Sequence, residues 1–594
     1  MSHAEAAMSQ FVKGMLVGIA LAVAAGLCFV LLLALVISQS EATEVESDSA
    51  VVISLSGDIP EYIDSDLSAY LAFDRSGRAT LFDHVRAIRR AAEDDRIKAL
   101  VLQCDGSRAG WAKAQELRWA IDAFKESGKP VWAFLEVAGR EDYYIAAIAD
   151  RIVIQPESYL SLSGLRLEIM FFKGALDKLG VEADVIRTGR YKSAGEPYSR
   201  EGISPEWRQV LDEMLDEFYG QLLDGIAAGR GQDAAHWRTV MDQGPFAAAE
   251  AHEHGLSDAV LYKDEFYEEL SEAVEVEEID RVAISTYARE SASRRSGGPK
   301  IAMVHASGTI YSGRSNPTPF GGPSGTLASA DFIAQIDSIR EDESIDAVVL
   351  RIDSPGGDAI ASEQMLHAVR RLGQEKPMVV SMANVAASGG YYIAAVPDVP
   401  IVAYPGTYTG SIGVFTIRLN LRDLYNKLGI TKEILSRGKF TAIESDYGPM
   451  TSAEREKLRG YVDSIYETFV NRVAEGRGDD AESIAELAEG RVWIGAQAER
   501  NGLVDSLGGY LDAVERVKEI AEIDPDETVR IVTYPERRSM LESLMSGDLS
   551  AAAARLLVPR NFRAASRAGE DLERLASRLS DGAMYMAPFE ISVQ

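Results

Sequence analysis

Ser388 lies in Ala386-Ala-Ser-Gly-Gly390, just after the apolar run Val379 to Met382 and just before the helical-looking stretch Tyr391 to Ala395. A serine at a tight strand-to-helix turn is well placed to attack a carbonyl, because flanking glycines free the backbone and N–H groups at the turn can face an oxyanion. The same position also suits a helix N-cap, for which serine is a favoured residue. Upstream, Asp353-Ser-Pro-Gly-Gly357 forms a second glycine-rich loop between an apolar strand and a helix. Loops of this kind present free N–H groups to an anion. Two of them in successive βα units can face one another across a cleft, which makes the backbone N–H groups of Gly356 or Gly357 and of Gly389 candidates for an oxyanion hole.

Such a serine needs a base. The histidines are His3, His84, His236, His252, His254, His305 and His367, and the serine lacks a triad signature such as Gly-x-Ser-x-Gly. A Ser–His–Asp arrangement stays open, since triad members need not be neighbours in sequence. Lysine is the other base used with serine, and it works only if desolvation or a nearby cation lowers its pKa enough for free amine to exist near neutrality.

The elements that position these residues occur twice. Val51-Val-Ile-Ser-Leu-Ser-Gly57 recurs as Ile301-Ala-Met-Val-His-Ala-Ser-Gly308, and Ile97-Lys-Ala-Leu-Val-Leu-Gln-Cys-Asp105 as Ile345-Asp-Ala-Val-Val-Leu-Arg-Ile-Asp353. Tyr143-Tyr-Ile-Ala-Ala147 returns as Tyr391-Tyr-Ile-Ala-Ala395, Lys178-Leu-Gly180 as Lys427-Leu-Gly429, and Gly255-Leu256 with Asp258 as Gly502-Leu503 with Asp505. An offset that stays near 250, with the matches in one order, means two copies of one domain, about 50–285 and 299–535, joined by a polar linker at 286–298. Within each copy, short β-rich runs such as Ala347 to Ile352 and Met378 to Met382 alternate with helical patterns such as Leu327 to Arg340 and Ala359 to Leu372. That alternation predicts an α/β fold with mainly parallel sheet.

Comparing the copies singles out one lysine. With Leu179-Gly180 laid on Leu428-Gly429, Gly189-Arg-Tyr-Lys192 falls on Gly438-Lys-Phe-Thr441, so the second copy lacks the lysine. With Tyr143 laid on Tyr391, Ser388 falls on Arg140, so the first copy lacks the serine. Each copy keeps what the other has lost. One Ser388/Lys192 pair shared between the copies is therefore expected, with Lys192 as the base.

The rest of the chain sets the context. Between Lys13 and Glu41 there is no charged residue, and the apolar run is long enough to cross about 30 Å of hydrocarbon, which predicts an N-terminal segment 1–14 and a transmembrane anchor at 15–38. Lys13 before the span and Glu41, Glu44, Glu46 and Asp48 after it fit an N-terminus inside and the bulk outside. A formal net charge of −31 excludes a nucleic-acid partner, since phosphate neutralisation needs a basic face. The two cysteines, Cys28 in the span and Cys104 far from it, build no disulfide framework. His252-Glu-His254 lacks a third ligand nearby, so no metal is expected, and no dinucleotide or phosphate loop calls for a cofactor. The tail 536–594 reads as amphipathic helix at Met540 to Leu557 and Ala564 to Leu579, then an extended apolar end, Met584-Tyr-Met-Ala-Pro-Phe589.

Taken together, Arg351-Ile-Asp-Ser-Pro-Gly-Gly-Asp358, Ser381-Met-Ala-Asn-Val-Ala-Ala-Ser-Gly-Gly-Tyr391, Thr409-Gly-Ser-Ile-Gly-Val414 and Gly189-Arg-Tyr-Lys-Ser-Ala194 resemble the motifs of bacterial signal peptide peptidase A (protease IV) in its long, two-repeat form. The resemblance runs from the span to about residue 535; one departure is Ala383, where the family often has Gly. It implies two tandem Clp-protease/crotonase-like domains and a Ser/Lys dyad. It further implies an inner-membrane homo-oligomer, a tetramer in the family, whose catalytic part lies on the extracytoplasmic side and degrades signal peptide remnants and other apolar peptides. It also implies that Gly410, Ser411, Ile412, Gly413 and Val414 line the substrate cleft. Ser193 is a candidate to orient the Lys192 amine. Two rival readings remain, a crotonase-type acyl-CoA enzyme and a catalytically silent scaffold that binds membrane peptides. Covalent labelling of Ser388 by an acylating probe discriminates the first, and separation of Lys192 from Ser388 is required by the second.

Overall fold

The structure is a computed structural model that describes residues 45–63, 79–292, 297–315, 325–536 and 584–586. The expected membrane anchor and the two expected tail helices lie outside the described residues, and among those described no helix is long and apolar enough to cross a membrane.

Each copy is built on a mainly parallel sheet. In the first, β1 (Ser49–Gly57), β2 (Ile97–Ser107), β3 (Val131–Ala138) and β4 (Arg151–Leu160) run parallel in the order β4-β3-β2-β1. Their leading residues are buried almost without interruption, as expected of strands covered on both faces. A further strand, β5 (Glu182–Thr188), leaves this sheet altogether. The second copy supplies β6 (Lys300–Ser307), β7 (Thr309–Tyr311), β8 (Thr326–Ala328), β9 (Ala347–Ser354), β10 (Gly356–Asp358), β11 (Met378–Ala387), β12 (Tyr408–Gly410) and β13 (Val414–Asn420). β6, β9, β11 and β12 form its parallel core, in the order β12-β11-β9-β6. The expected helices appear at Ser329–Glu341 and Ala359–Glu375. The expected linker is shorter than its composition suggested, because the helix Ile284–Ala292 runs into it.

The repeat extends to single hydrogen bonds. Tyr143 Oη donates to Leu256 O at 2.9 Å and Tyr391 Oη to Leu503 O at 2.8 Å. The 26-residue helices Pro205–Arg230 and Ser452–Arg477 both end on an arginine paired with an aspartate, Asp258 or Asp505, and each aspartate in turn accepts from a strand N–H.

The copies share one interior. The helix Trp111–Lys125 is buried on nearly all sides, including Lys113, Gln115, Glu116 and Arg118, and it meets the second copy through polar contacts. Gln115 accepts from Gly406 N–H at 2.9 Å, Glu116 accepts from Tyr510 N–H at 2.9 Å, and Asn384 Nδ2 donates to Ala109 O at 2.8 Å. Beside it, Arg351 is fully buried with its guanidinium on Glu61 at 2.9 and 3.1 Å and 4.3 Å from the Tyr510 ring centroid. Burial works against the Glu61 charge, but Arg351 and Lys113 outweigh it and hold the carboxyl down at about 2.

Candidate active site

Ser388 closes β11 and precedes a short helix, Gly389–Ala394. Its backbone is in a region a side chain rarely adopts, φ 56° and ψ −116°, held by Ser388 N–H donating to Gly410 O at 2.7 Å. Strain of this sort persists only where the surroundings over-determine it, and it turns the Oγ out of the strand direction. The next residue must be glycine, because a Cβ on Gly389 would come within 2.7 Å of Ser362 Oγ and 3.1 Å of both Gly356 Cα and Gly357 N. The two glycine-rich loops therefore face one another as their sequences suggest. Gly356 N–H donates to Ser354 Oγ at 3.2 Å, while Gly357 pairs in register with Ile310 of β7.

Lys192 reaches this place by a route the repeat created. β5 of the first copy runs antiparallel to β13 of the second, from Glu182 opposite Asn420 to Thr188 opposite Val414. The chain then turns at Gly189, φ 104°, where Tyr191 N–H donates to Glu489 O at 2.9 Å, and Lys192 drops inward. Gly490 leaves the room for it: a Cβ there would lie 2.5 Å from Lys192 Cβ. Behind it, Arg187 donates to Lys192 O and to Glu196 Oε1, each at 2.9 Å, and Ser204 Oγ donates to the same Glu196 carboxylate at 2.7 Å.

Lys192 Nζ ends 2.7 Å from Ser388 Oγ, 2.9 Å from Ser411 O and 3.0 Å from Ser411 Oγ, with Lys192, Ser388 and Ser411 all at 0% exposure. Burial, acting alone, pushes the Lys192 amine well below its ordinary value. A neutral amine has two N–H groups and one lone pair. It can donate to both Ser411 oxygens and keep its lone pair for the Ser388 hydroxyl proton, which matches the three contacts present. Among the described residues no histidine bonds to Ser388, so the base in reach is the lysine.

Some expected roles move. The Oγ of Ser193 is buried with no hydrogen-bond partner among the described residues, and the contacts of the Lys192 amine go to Ser388 and Ser411. Ser411, expected as a cleft residue, holds the lysine instead, its backbone turned to φ 52°. Gly410 pairs with Ala387 in the sheet, and Ile412 O accepts from Gly490 N–H at 2.7 Å. Gly413 packs on the lysine, since a Cβ there would lie 3.2 Å from Lys192 Cδ. Val414 begins β13 and pairs with Thr188 of β5. Thr441, the counterpart of Lys192, is exposed. The contributions of Glu489, Gly490 and the Arg187–Glu196 clamp carried no sequence signal, because each acts through backbone atoms or partners distant along the chain.

Comparison with known proteins finds the same repeat. The sequence profile described as peptidase family S49 matches residues 123–277 and again residues 370–524, once in each copy. A chloroplastic serine protease SPPA of Arabidopsis thaliana is 34% identical over 465 residues, covering 77% of this chain and 68% of that one. Protease 4 of Salmonella typhi is 32% identical over 513 residues, 83% of this chain and 79% of that one. Protease 4 of Haemophilus influenzae is 29% identical over 565 residues, 89% of each chain.

Proposed function

From the premise that the chain belongs to peptidase family S49, and is a serine peptidase of the two-repeat kind, we propose that Ser388 is its nucleophile and Lys192 its general base. The observation that carries this reading is the 2.7 Å approach of Lys192 Nζ to Ser388 Oγ in a fully buried pocket. The neutral amine takes the Ser388 proton as Oγ bonds to the scissile carbonyl carbon. The tetrahedral oxyanion is met by N–H donors of the facing loops; Gly356 N–H is engaged with Ser354 Oγ, which favours Gly357 and Gly389. The Lys192 ammonium then protonates the departing amine, leaving an acyl ester on Ser388. Water, deprotonated by the regenerated amine, cleaves that ester and restores the serine.

The substrates are apolar peptides, including the remnants of cleaved signal peptides, and the chain is held at the bacterial inner membrane by the apolar run 15–38, with its Clp-protease/crotonase-like domains outside the cytoplasm. Assembly into a ring is supported by the repeat itself. The 249-residue offset maps β13 onto 165–171 and β5 onto 431–437, and among the described residues neither segment is paired in a sheet. Both carry exposed apolar side chains, Met170 at 74% and Leu435 at 92%. The pairing that joins β5 to β13 within a chain would recur between 431–437 of one chain and 165–171 of the next, a head-to-tail contact that closes on itself.

The reading is tested by hydrolysis of a fluorogenic apolar peptide, wild type beside Ser388→Ala, with mass-spectrometric mapping of a serine-directed acylating probe. Loss of turnover by about three orders of magnitude or more, with the probe on Ser388, is expected. Turnover retained in Ser388→Ala, or a probe adduct elsewhere, overturns it.

A further inference from the structure

The helix Trp111–Lys125 of the first copy starts without a cap of its own. Gly110 stands at its N-cap position and has no side chain to receive the amides of the first turn. With Tyr143 laid on Tyr391, Gly110 falls on Asp358, which caps the corresponding helix Ala359–Glu375 by accepting from Ala361 N–H at 2.6 Å. In the first copy the equivalent amide, Lys113 N–H, donates instead to Asn384 Oδ1 at 3.3 Å, and Asn384 belongs to the second copy. The replacement holds in space as well as in role. A Cβ on Gly110 would lie 2.6 Å from Asn384 Cγ and 2.8 Å from its Oδ1, so the borrowed amide fills the room a cap side chain would take. The other half of that amide is engaged too, Nδ2 donating to Ala109 O at 2.8 Å.

Asn384 sits where the strand that leads to Ser388 leaves its ladder. β11 pairs with β9 as far as Met382 opposite Ile352 and resumes with Ala386 opposite Ser354, so Ala383, Asn384 and Val385 bulge out against Asp353. Bulges beside active sites re-aim the side chains that follow them. Within the second copy this one is held by Thr407 Oγ1, which donates to Ala383 O at 2.8 Å, and by Asp353 Oδ1, which accepts from Val385 N–H at 3.1 Å. Asn384 carries it across to the first copy. Lys113 closes the joint from the other side, its Nζ 3.6 Å from Asp353 Oδ2. The counterpart of Asn384 in the first copy is Glu136, whose carboxylate bonds to Lys263 of the same copy at 2.7 Å. The crossing amide thus lies on the copy that carries the serine and lands on the copy that carries the lysine.

We infer that Asn384 is a positioning residue for the reaction, its amide serving as the N-cap of the other copy's helix and so fixing the nucleophile strand, four residues before Ser388, against the copy that supplies Lys192. The inference rests on the peptidase reading for the roles of Ser388 and Lys192. A dyad shared between two domains works only while their relative placement is held to a fraction of an ångström, and small displacements from a remote change lower turnover steeply. Substrate contacts are untouched by such a change.

The test uses the full chain in detergent, with active sites counted by a serine-directed acylating probe so that kcat is expressed per competent site. Asn384→Leu removes both hydrogen bonds at similar volume, and kcat per site is expected to fall by about tenfold or more with KM changed by less than about twofold. Asn384→Asp keeps the acceptor for Lys113 N–H and loses the donor to Ala109 O; its kcat per site falls by about threefold or more, and it decides the matter if the leucine variant does not fold. The joint itself is read without turnover in the Ser388→Ala background, where Asn384→Leu speeds amide hydrogen exchange in both 109–116 and 385–391. Wild-type kcat per site in either variant overturns the inference, as does unchanged exchange in both segments. Exchange that responds to Asn384→Leu in a chain whose wild type has no Ser388-dependent turnover leaves the joint standing and overturns the peptidase reading instead.

Discussion

Lys192 has two oxygens of Ser411 for its N–H groups and one hydroxyl for its lone pair, and no other charge is needed to explain its depressed pKa. The amine is active unprotonated, so kcat/KM rises as pH passes upward through the lowered Lys192 pKa and is level above it. Lys192→Arg keeps a cation that cannot deprotonate here, and is expected to lower turnover by about three orders of magnitude while still binding peptide. Substantial turnover with an unchanged pH profile in that variant would return the role of base to a histidine. Ser411→Ala removes one of the two acceptors that aim the amine, and a drop in kcat of about tenfold or more, with a smaller change in KM, is expected from steady-state kinetics. These two residues differ in legibility. Lys192 stood out because the copies had diverged at its position, whereas the role of Ser411 depends on a carbonyl and a hydroxyl 219 residues along the chain from the amine they hold.

At the scale of elements, the helix Trp111–Lys125 makes the seam between the copies sensitive to pH in a defined sense. Burial raises Glu116 to about 7, against weaker opposing effects of Arg351 and the Tyr510 N–H. A carboxyl raised above its unfolded value of 4.5 contributes stability that is fully present below pH 4.5 and is lost as pH rises through about 7. Glu116→Gln should therefore flatten that part of the stability curve, seen as a smaller difference in denaturant midpoint between pH 5 and pH 8 in the variant than in wild type. Each tenfold difference in proton affinity between the folded and unfolded chain corresponds to about 1.4 kcal/mol. An unchanged difference in midpoint would place the pH dependence elsewhere, with Glu141 and Asp142, also raised by burial. The neighbouring Arg351–Glu61 pair has the opposite sign. Glu61, held at about 2, stabilises fully above pH 4.5 and loses its contribution as pH falls through about 2. Arg351→Met strands the Glu61 charge in the interior and is expected to cost about 3–5 kcal/mol in equilibrium unfolding, more than Arg351→Met combined with Glu61→Gln.

For the whole molecule, the segments 165–171 and 431–437 are where self-association is expected, because they are the counterparts of the β13–β5 pair with no partner in the sheets described. Leu435, the most exposed large apolar side chain of the described residues at 92%, is the place to test it. Leu435→Glu should shift the particle mass from oligomer to single chain, read by light scattering of the detergent-solubilised protein, and leave the Lys192–Ser388 geometry intact. An oligomer of unchanged mass would move the interface to another face.

What the sequence determined by itself is the content of the site and the architecture around it. The repeat, the alternation of buried strands and helices, the facing glycine loops and the complementary losses of serine and lysine are all local patterns, and local patterns survive in one dimension. The meeting of Ser388 with Lys192 and the approach of Gly389 to Gly357 were legible for that reason. The tertiary structure alone decided how the two copies join: that β5 abandons its own sheet for β13, that Ser411 rather than Ser193 holds the amine, and that Asn384 caps a helix of the other copy. Each of these is a backbone pairing or a contact with a main-chain atom, and the main chain is the same at every residue. Nothing in side-chain identity marks which carbonyl or which strand edge a distant segment will meet; only packing the two copies together around one buried interior does.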